Sequence, residues 1–272
     1  MTGLTFPDID PVAIAIGPIA IRWYALAYIA GLLIGWRYVV GLTRRHALGL
    51  DERSIDDLLV WVAFGVILGG RFGYVLFYRP DYYAQHLLEI PMVWKGGMSF
   101  HGGLLGVAVS LALFARTKGV NPLTVGDLVA AAAPIGLFFG RIANFINGEL
   151  WGRPTDVPWG MIFPMAGPEP RHPSQIYEAL LEGLLLFVVL WFIARRRETW
   201  ARPGLLAGYF LMGYAITRSI AELFRMPDAF LGFLAAGLTM GQLLSLPMFL
   251  IGVYLVLRAR SRTDAATGPG RE

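Results

Sequence analysis

The 272-residue chain contains no cysteine, and charged residues are scarce. Without a thiol it can form no disulfide, use no cysteine nucleophile and offer no thiolate metal ligand. The redox compartment is left open by this absence. Only 15% of the residues are charged whereas 56% are hydrophobic, which is too little polar surface to cover a water-soluble globule of this size. The composition therefore predicts an integral membrane protein, with the bilayer as its solvent.

A leader peptide, a metal site and a basic patch are also missing from the pattern. The amino terminus does not present a basic region, a short apolar core and a cleavage site in that order, so we expect no removable signal peptide. The four histidines are scattered and the acidic residues do not cluster at ligand spacing, so we expect no metal and no cofactor. The net charge of +4 is spread in short clusters between apolar runs, which argues against nucleic acid as a partner.

Seven apolar runs, each near the roughly 20 residues that a hydrocarbon core requires, predict an all-α polytopic membrane protein. We expect one integral membrane domain over residues 1–272, with spans at 23–42, 57–77, 100–115, 125–145, 174–194, 203–223 and 238–257. Arginine and lysine cluster after the first, third, fifth and seventh runs, and such loops are usually cytoplasmic. The amino terminus is therefore expected outside and the carboxyl terminus in the cytoplasm.

Glycines in the first two predicted spans have the spacing of close helix packing. Gly31 and Gly35 are four apart in the first span, and Gly65, Gly69 and Gly73 repeat the spacing in the second. Small residues at this spacing let two backbones approach each other in a membrane.

Three charged residues near these helices have a structural interpretation. Arg71 lies within the second glycine set, and its position is explained equally well by a structural ion pair and by a contact to a substrate. Asp57 and Asp127 begin their predicted helices, so we interpret them as first-turn acids that complement the helix dipole.

The segment 140–153, GRIANFINGELWGR, places polar groups where a membrane helix should not tolerate them. A charged side chain inside a bilayer helix costs about 2.5 to 3.5 kcal/mol, so it usually faces a partner or cavity and marks a functional site. At 100° per residue Arg141, Asn144 and Gly148 share one face, and Glu149 follows. The alternative is a helix end whose arginine reaches the headgroups.

A second polar stripe runs along the predicted sixth span. Tyr214, Arg218, Glu222 and Arg225 are spaced 4, 4 and 3 apart and project within about 80° of one another. An i, i+4 ion pair between Arg218 and Glu222 would explain two of the four. Arg225 and the Tyr214 hydroxyl indicate a wet cavity.

The outer arm, residues 79–97, is too polar to span the membrane and is rich in tyrosine and tryptophan. Such a segment is expected to lie in the membrane interface. His101 follows it at the mouth of the third predicted span, where an imidazole can reach both water and a lipid headgroup. The position of His101 is compatible with a functional role and equally with a side chain that is only solvated.

A proline-rich outer loop leads from 153 to 173 and into the fifth predicted span. Proline is tolerated at a helix start, and His172 beside it is interpreted as a cap. Glu178 and Glu182 follow on one helix face, and carboxylates in a membrane helix require partners.

These residues lie in long stretches that resemble prolipoprotein diacylglyceryl transferases, the bacterial membrane enzymes that begin lipoprotein maturation. The resembling segments are 21–28 (IRWYALAY), 69–78 (GGRFGYVLFY), 96–106 (GGMSFHGGLLG), 140–153, 171–183 (RHPSQIYEALLEG), 214–228 and 240–248 (MGQLLSLPM). The resemblance implies seven transmembrane helices in the bacterial cytoplasmic (inner) membrane, with the active site toward the outer face. Phosphatidylglycerol is the implied lipid donor, and a prolipoprotein signal peptide with a lipobox cysteine the implied acceptor. The family's functional positions carry over to Tyr24, His101, Arg141, Asn144, Glu149, Gly152, Tyr214, Arg218 and Glu222.

The implied reaction displaces glycerol-1-phosphate by a thiol, and it sets two chemical requirements. The departing phosphate gains negative charge, which Arg141 and Arg218 are expected to offset by bidentate hydrogen bonds. The thiol, with an ordinary pKa near 8.5, needs a base or a cationic environment. We assign the base to His101, with Tyr214 and Tyr24 orienting donor or thiol. If the arginines activate the thiol alone, His101 only positions the headgroup.

The remaining predicted site residues bind the lipid. Asn144 is expected to hydrogen-bond glycerol or phosphate oxygens, and Gly152 and Arg225 to line the site. Glu149 and Glu222 are expected to hold arginine side chains in place, because a buried guanidinium without a carboxylate is costly.

Three other function classes remain open at this point. A lipid flippase or secondary transporter would also place arginines inside a helical bundle, although the sequence shows no convincing internal repeat. A non-catalytic scaffold would not need the ionisable stripe. Another phospholipid headgroup transferase would differ in the lipid that it consumes and the product that it releases.

Overall fold

A computed structural model describes residues 3–7, 9–17, 19–227, 232, 234 and 237–266. Residue 228, the last position of the resembling segment 214–228, and the carboxyl end beyond 266 lie outside the described residues. Backbone contacts divide the chain into two compact units. The first unit comprises the described parts of 1–39 and 127–272, and the second comprises 40–126.

Helices make up most of the described chain. They are α1 Trp23–His46, α2 Glu52–Phe77, α3 Pro80–Gln85, α4 Phe100–Lys118, α5 Pro122–Ile146, α6 Ser174–Glu178, α7 Leu186–Ala194, α8 Arg197–Trp200, α9 Leu205–Ala221 and α10 Met240–Ala266. A π-helical stretch, Ala179–Leu185, joins α6 to α7, so the three segments form one continuous helix. Two 3-10 turns, Leu87–Glu89 and Val93–Lys95, lie in the outer arm.

Among the residues that the structure describes, six helices are long and apolar enough to cross a membrane. They are Trp23–His46, Glu52–Phe77, Phe100–Lys118, Pro122–Ile146, Ser174–Ala194 and Met240–Ser261. The predicted sixth span corresponds to α9, an apolar helix of 17 residues that is shorter than these six. The prediction of a helical, multi-pass membrane protein is confirmed, with six candidate membrane-spanning helices among the described residues.

Within the described ranges, two small sheets add to the predicted all-α architecture. β1 Leu4–Thr5 pairs in parallel with β4 Met161–Ile162, and β2 Val12–Ile16 pairs antiparallel with β3 Ile19–Arg22. These strands lie outside the apolar runs, in segments whose backbone N–H and C=O groups have no helical partners. Such short strand pairings give little signal in a sequence whose hydrophobicity pattern is dominated by long apolar runs.

In the second unit, α2 and α4 meet through the predicted glycines. A Cβ added at Gly69 would lie 2.7 Å from the Cα of Gly106, and one added at Gly73 would lie 2.7 Å from the Cα of Gly102. No side chain fits at these contacts, so the interpretation of the second glycine set as a packing surface is confirmed.

Arg71, on the same helix, binds backbone carbonyls and not the carboxylate of an ion pair in the part of the chain that the structure describes, and a substrate contact stays a prediction. Its side chain is 3% exposed and donates to four backbone carbonyls. The Nε donates to Ile90 (2.7 Å), and the two Nη atoms donate to Glu89 (2.7 Å), Gly96 (2.5 Å) and Gly97 (3.2 Å). The guanidinium therefore ties the folded outer arm to α2.

Asp57 is not a first-turn acid, contrary to the prediction. The helix begins earlier, at Glu52, and its N-cap is Asp51, which accepts the backbone N–H of Ser54 at 2.9 Å. Asp57 instead accepts from Lys118 Nζ at 2.7 Å. This ion pair lies at the surface of the second unit and joins α2 to the end of α4.

Asp127 is likewise not in a first turn, because α5 begins at Pro122. Its side chain is 1% exposed and accepts the backbone N–H groups of Gly204 and Ala207, both at 2.7 Å. These donors belong to the start of α9, where the first N–H groups have no partner within the helix. Asp127 therefore caps a distant helix.

We expect Asp127→Ala to destabilise the protein by about 2 to 4 kcal/mol, because it leaves two buried N–H donors without an acceptor. The matched variant Asp57→Ala removes a solvent-exposed ion pair and should cost at most about 1 kcal/mol. Thermal unfolding midpoints of the detergent-solubilised variants provide the comparison. Asp127→Asn, which keeps one acceptor oxygen, should fall between them. Equal shifts for the two alanine variants would contradict the capping role.

Candidate functional site

A buried carboxylate, Glu178 at the end of α6, lies at the centre of the candidate site. It is 0% exposed and meets three guanidinium groups. Arg141 Nε on α5 and Arg218 Nη1 on α9 each lie 2.9 Å from Oε2, and Arg225 Nη1 lies 3.3 Å from Oε1. One carboxylate therefore brings together arginines from two predicted spans and from the turn that follows the second.

Two further carboxylates complete this group. Glu182, also 0% exposed, lies 3.5 Å from Arg141 Nη2 and 3.5 Å from Arg218 Nη1. Glu222 forms the expected i, i+4 ion pair with Arg218 and lies 4.0 Å from Arg225 Nε. The six side chains carry a formal net charge of zero and form the arginine–glutamate cluster: Arg141, Glu178, Glu182, Arg218, Glu222 and Arg225.

The π-helical stretch Ala179–Leu185 places Glu182 in this cluster. Widened turns of this kind are rare within helices and frequent at functional sites. The same stretch packs closely on α5, because a Cβ added at Gly183 would lie 2.6 Å from the Cβ of Phe138. The close approach keeps the two carboxylates near Arg141.

A second network joins residues of the segment 140–153. Asn144 Nδ2 donates to Glu149 Oε1 at 2.8 Å, and Asn147 Nδ2 donates to the same oxygen at 3.3 Å. Glu149 was expected to hold an arginine, but these hydrogen bonds come from asparagine amides. Tyr24, on α1, forms a side-chain hydrogen bond with Asn144, and its hydroxyl lies 3.3 Å from that of Tyr28. Neutral donors thus orient this carboxylate.

The start of α6 holds the backbone that follows Glu149. Gln175 Nε2 donates to the carbonyl of Glu149 at 2.6 Å, and Ser174 Oγ donates to that of Leu150 at 3.0 Å. Leu150 adopts a left-handed conformation, with φ of 58°, which is unfavourable for a side chain of this size. The hydrogen bonds to neighbouring carbonyls hold this turn in place.

Gly152 occupies a position where no side chain fits. Its N–H donates to the carbonyl of His172 at 2.9 Å, and an added Cβ would lie 2.6 Å from the carbonyl oxygens of both His172 and Phe224. A glycine is needed here because the outer loop passes between two backbone segments, and the role of Gly152 in lining the site stays a prediction.

Arg153, which the sequence analysis did not assign, fixes the end of the polar stripe. Its Nε donates to the carbonyl of Arg225 at 2.9 Å, and its Nη2 donates to that of Glu222 at 2.9 Å. A cation at the carboxyl end of a helix also complements the helix dipole. Its place at the end of the resembling segment is the signal that could have identified it.

His172 does not cap α6, contrary to the prediction. The N-cap is Pro173, and His172 Nδ1 lies 3.1 Å from the hydroxyl of Tyr177. Trp159 Nε1 donates to that hydroxyl at 2.6 Å, so the hydroxyl proton is available to the imidazole. Burial and the positive charge of Arg153 lower the pKa of His172, which favours the neutral ring.

The other two predicted catalytic residues are Tyr214, which lies beside the arginine–glutamate cluster, and His101, which belongs to the second unit. Tyr214 is half-buried on α9, one turn before Arg218, and its ring stacks on Phe210 at 5.9 Å between centroids. His101 belongs to the second unit, where it is exposed in the first turn of α4 with its ring edge-to-face against Phe100 at 5.7 Å. The first unit therefore contains every predicted site residue except His101.

The chain is similar over nearly its whole length to enzymes of one family. The model of the family described as prolipoprotein diacylglyceryl transferase matches residues 11–258. A phosphatidylglycerol–prolipoprotein diacylglyceryl transferase of Paramagnetospirillum magneticum is 59% identical over 260 residues, which cover 95% of this chain and 97% of the relative. An enzyme of the same name from Azospirillum brasilense is 58% identical over 97% of this chain and 100% of its own. The chain belongs to the prolipoprotein diacylglyceryl transferase family of membrane enzymes.

Proposed function

We propose that the protein transfers the diacylglyceryl group of phosphatidylglycerol to the lipobox cysteine of a prolipoprotein and releases glycerol-1-phosphate. Family membership supports the reaction class. The observation that carries the proposal is the convergence of Arg141 and Arg218 on Glu178, with nitrogen–oxygen distances of 2.9 Å from two different helices. Two preorganised guanidinium groups in one buried site are suited to stabilise the negative charge of a departing phosphate.

In the proposed reaction the cysteine sulfur bonds to the diacylglyceryl carbon, and the bond from that carbon to the phosphate oxygen breaks. The phosphate leaves with the bonding electrons, so its negative charge grows. Arg141 and Arg218 stabilise this charge, because fixed cations in a low-dielectric site need no reorganisation during the reaction. Arg225 contributes to the same positive side of the site, and Asn144 hydrogen-bonds the glycerol or phosphate oxygens.

The thiol proton goes to His101, which we propose as the general base. Imidazole titrates near neutral pH and suits this role. Tyr214 and Tyr24 orient the lipid or the thiol. Gly152 lets the loop beside Glu149 approach the substrate, while Glu149 and Glu222 hold the polar side chains around it.

The proposed membrane arrangement has seven spans in one domain of the bacterial inner membrane. The shorter helix α9, the sixth in chain order, brings the number of crossings to seven, with the amino terminus outside and the carboxyl terminus in the cytoplasm. The basic clusters after alternate apolar runs support this orientation. Both acyl chains and the acceptor's signal segment already lie in the bilayer, so we propose that they enter between helices and that glycerol-1-phosphate leaves on the outer side.

We expect Arg141→Ala and Arg218→Ala each to lower kcat about 100-fold or more, because each removes a group that stabilises the leaving phosphate. The measurement uses purified protein with phosphatidylglycerol and a peptide bearing one lipobox cysteine, and follows both lipidated peptide and glycerol-1-phosphate. Arg260→Ala, at an exposed arginine of α10, is the matched control and should retain wild-type activity. If the wild type binds or moves the lipid and forms neither product, a transporter function replaces the proposal.

We expect His101→Gln to lower kcat about 100-fold at neutral pH, because the variant cannot accept the thiol proton. Raising the pH should recover part of the activity, since the thiol then ionises by itself. His86→Gln, at the histidine of the outer arm, serves as control and should leave the pH profile unchanged. Near-normal turnover of His101→Gln would exclude proton transfer and leave His101 a headgroup contact.

A further inference from the structure

Every guanidinium of the arginine–glutamate cluster already has a carboxylate partner. The following inference rests on the proposed function, in which a lipid phosphate binds Arg141 and Arg218. The phosphate brings one negative charge to a group of side chains whose charges already balance. Because buried charge without a partner is costly, the phosphate and a carboxylate must compete for the same donors.

The carboxylates hold the two arginines unequally. Glu178 lies 2.9 Å from both Arg141 Nε and Arg218 Nη1, and Arg225 adds a third contact. Glu182 lies 3.5 Å from each of the same two arginines. Charge-assisted hydrogen bonds are usually about 2.7 to 2.9 Å long, so the contacts of Glu178 are close to optimal and those of Glu182 are not.

Glu182 is nevertheless fully buried, and its Oε2 has no hydrogen-bond partner in the part of the chain that the structure describes. The charged and titratable groups that face it are Arg141 from α5, Arg218 and Tyr214 from α9, and Glu178 from its own helix. Its nearest donor group is Arg141 Nη2 at 3.5 Å, so this buried oxygen has an ion-pair contact but no proper hydrogen bond, which indicates a role beyond packing.

We propose that Glu182 occupies the position of the substrate phosphate while the site is empty. Its carboxylate lies against Arg141 and Arg218, the two arginines assigned to the phosphate, and yields to the lipid when it binds. Glu178 keeps both guanidinium groups in place during this exchange. After the reaction the carboxylate of Glu182 returns to the arginines and helps to displace glycerol-1-phosphate, whose negative charge it repels.

If Glu182 competes with the phosphate, loss of its charge should lower the KM for the lipid, whereas loss of a structural ion pair should raise it. In Glu182→Gln the competing charge is lost while the side-chain shape is kept, so phosphatidylglycerol and glycerol-1-phosphate should both bind more tightly. We expect the KM for the lipid and the inhibition constant of glycerol-1-phosphate each to fall about tenfold, since like charge against a ligand strongly opposes binding. We expect kcat to fall as well, because the product leaves more slowly.

Two matched variants separate the proposed competition from a general effect of charge. Glu178→Gln loosens the anchor of both arginines, so its KM should rise and its kcat should fall. Glu198→Gln removes an exposed carboxylate of α8 and should change neither constant. All variants are compared in the same reconstituted assay with phosphatidylglycerol and the lipobox peptide, with glycerol-1-phosphate added as inhibitor.

A higher KM in Glu182→Gln, like that expected for Glu178→Gln, would overturn the inference and leave Glu182 a structural partner. If the glutamine variant does not fold, Glu182→Asp can be used instead. It shortens the side chain by one methylene group and so moves the carboxylate away from the two arginines. Its KM and inhibition constant should then fall less, but in the same direction, and an increase in either would again overturn the inference. A wild-type protein that forms no product would refute the proposed function itself, which is a different result.

Discussion

The buried ion pairs of Glu178 are the interaction on which the site depends. An isolated charge inside a membrane protein is strongly unfavourable, and removing one partner of a buried pair typically costs about 3 to 5 kcal/mol. Arg141 and Arg218 are thus accommodated within an apolar bundle because Glu178 lies 2.9 Å from each. The same contacts join α5, α6 and α9, so the stability of these helices and the geometry of the arginines depend on one another.

Arg71 and Arg153 both bind backbone carbonyls with their guanidinium groups. Arg71 donates to four carbonyls of the outer arm and its flank, and Arg153 donates to the carbonyls of Glu222 and Arg225. A guanidinium carries five N–H donors in one plane, which suits several carbonyls at once. The chain therefore uses arginine in two ways: against carboxylates in the cluster, and against backbone where a loop must be fixed.

The sequence predicts helices and polar faces better than it predicts contacts between them. Arg141 and the stripe from Tyr214 to Arg225 stand out because each interrupts an apolar run, and helical periodicity gives their common faces. The same periodicity cannot show that Glu178 is where the two faces meet. Asp127 was misassigned because its partner Gly204 is 77 residues further along the chain, and capping of a distant helix has no local signature.

The π-helical stretch separates two environments within the width of one helix. Glu182 and Gly183 lie on its buried side, whereas Leu180, Leu184 and Leu185 are exposed on the other. An α-helix with its side chains is about 10 to 12 Å across. The hydrocarbon beside the exposed leucines is therefore separated from the arginine–glutamate cluster by about the width of one helix. A phospholipid is long enough to cover this distance. In the proposed reaction its phosphate would reach the arginines while its acyl chains stay in the bilayer, and extraction of the whole lipid would be unnecessary.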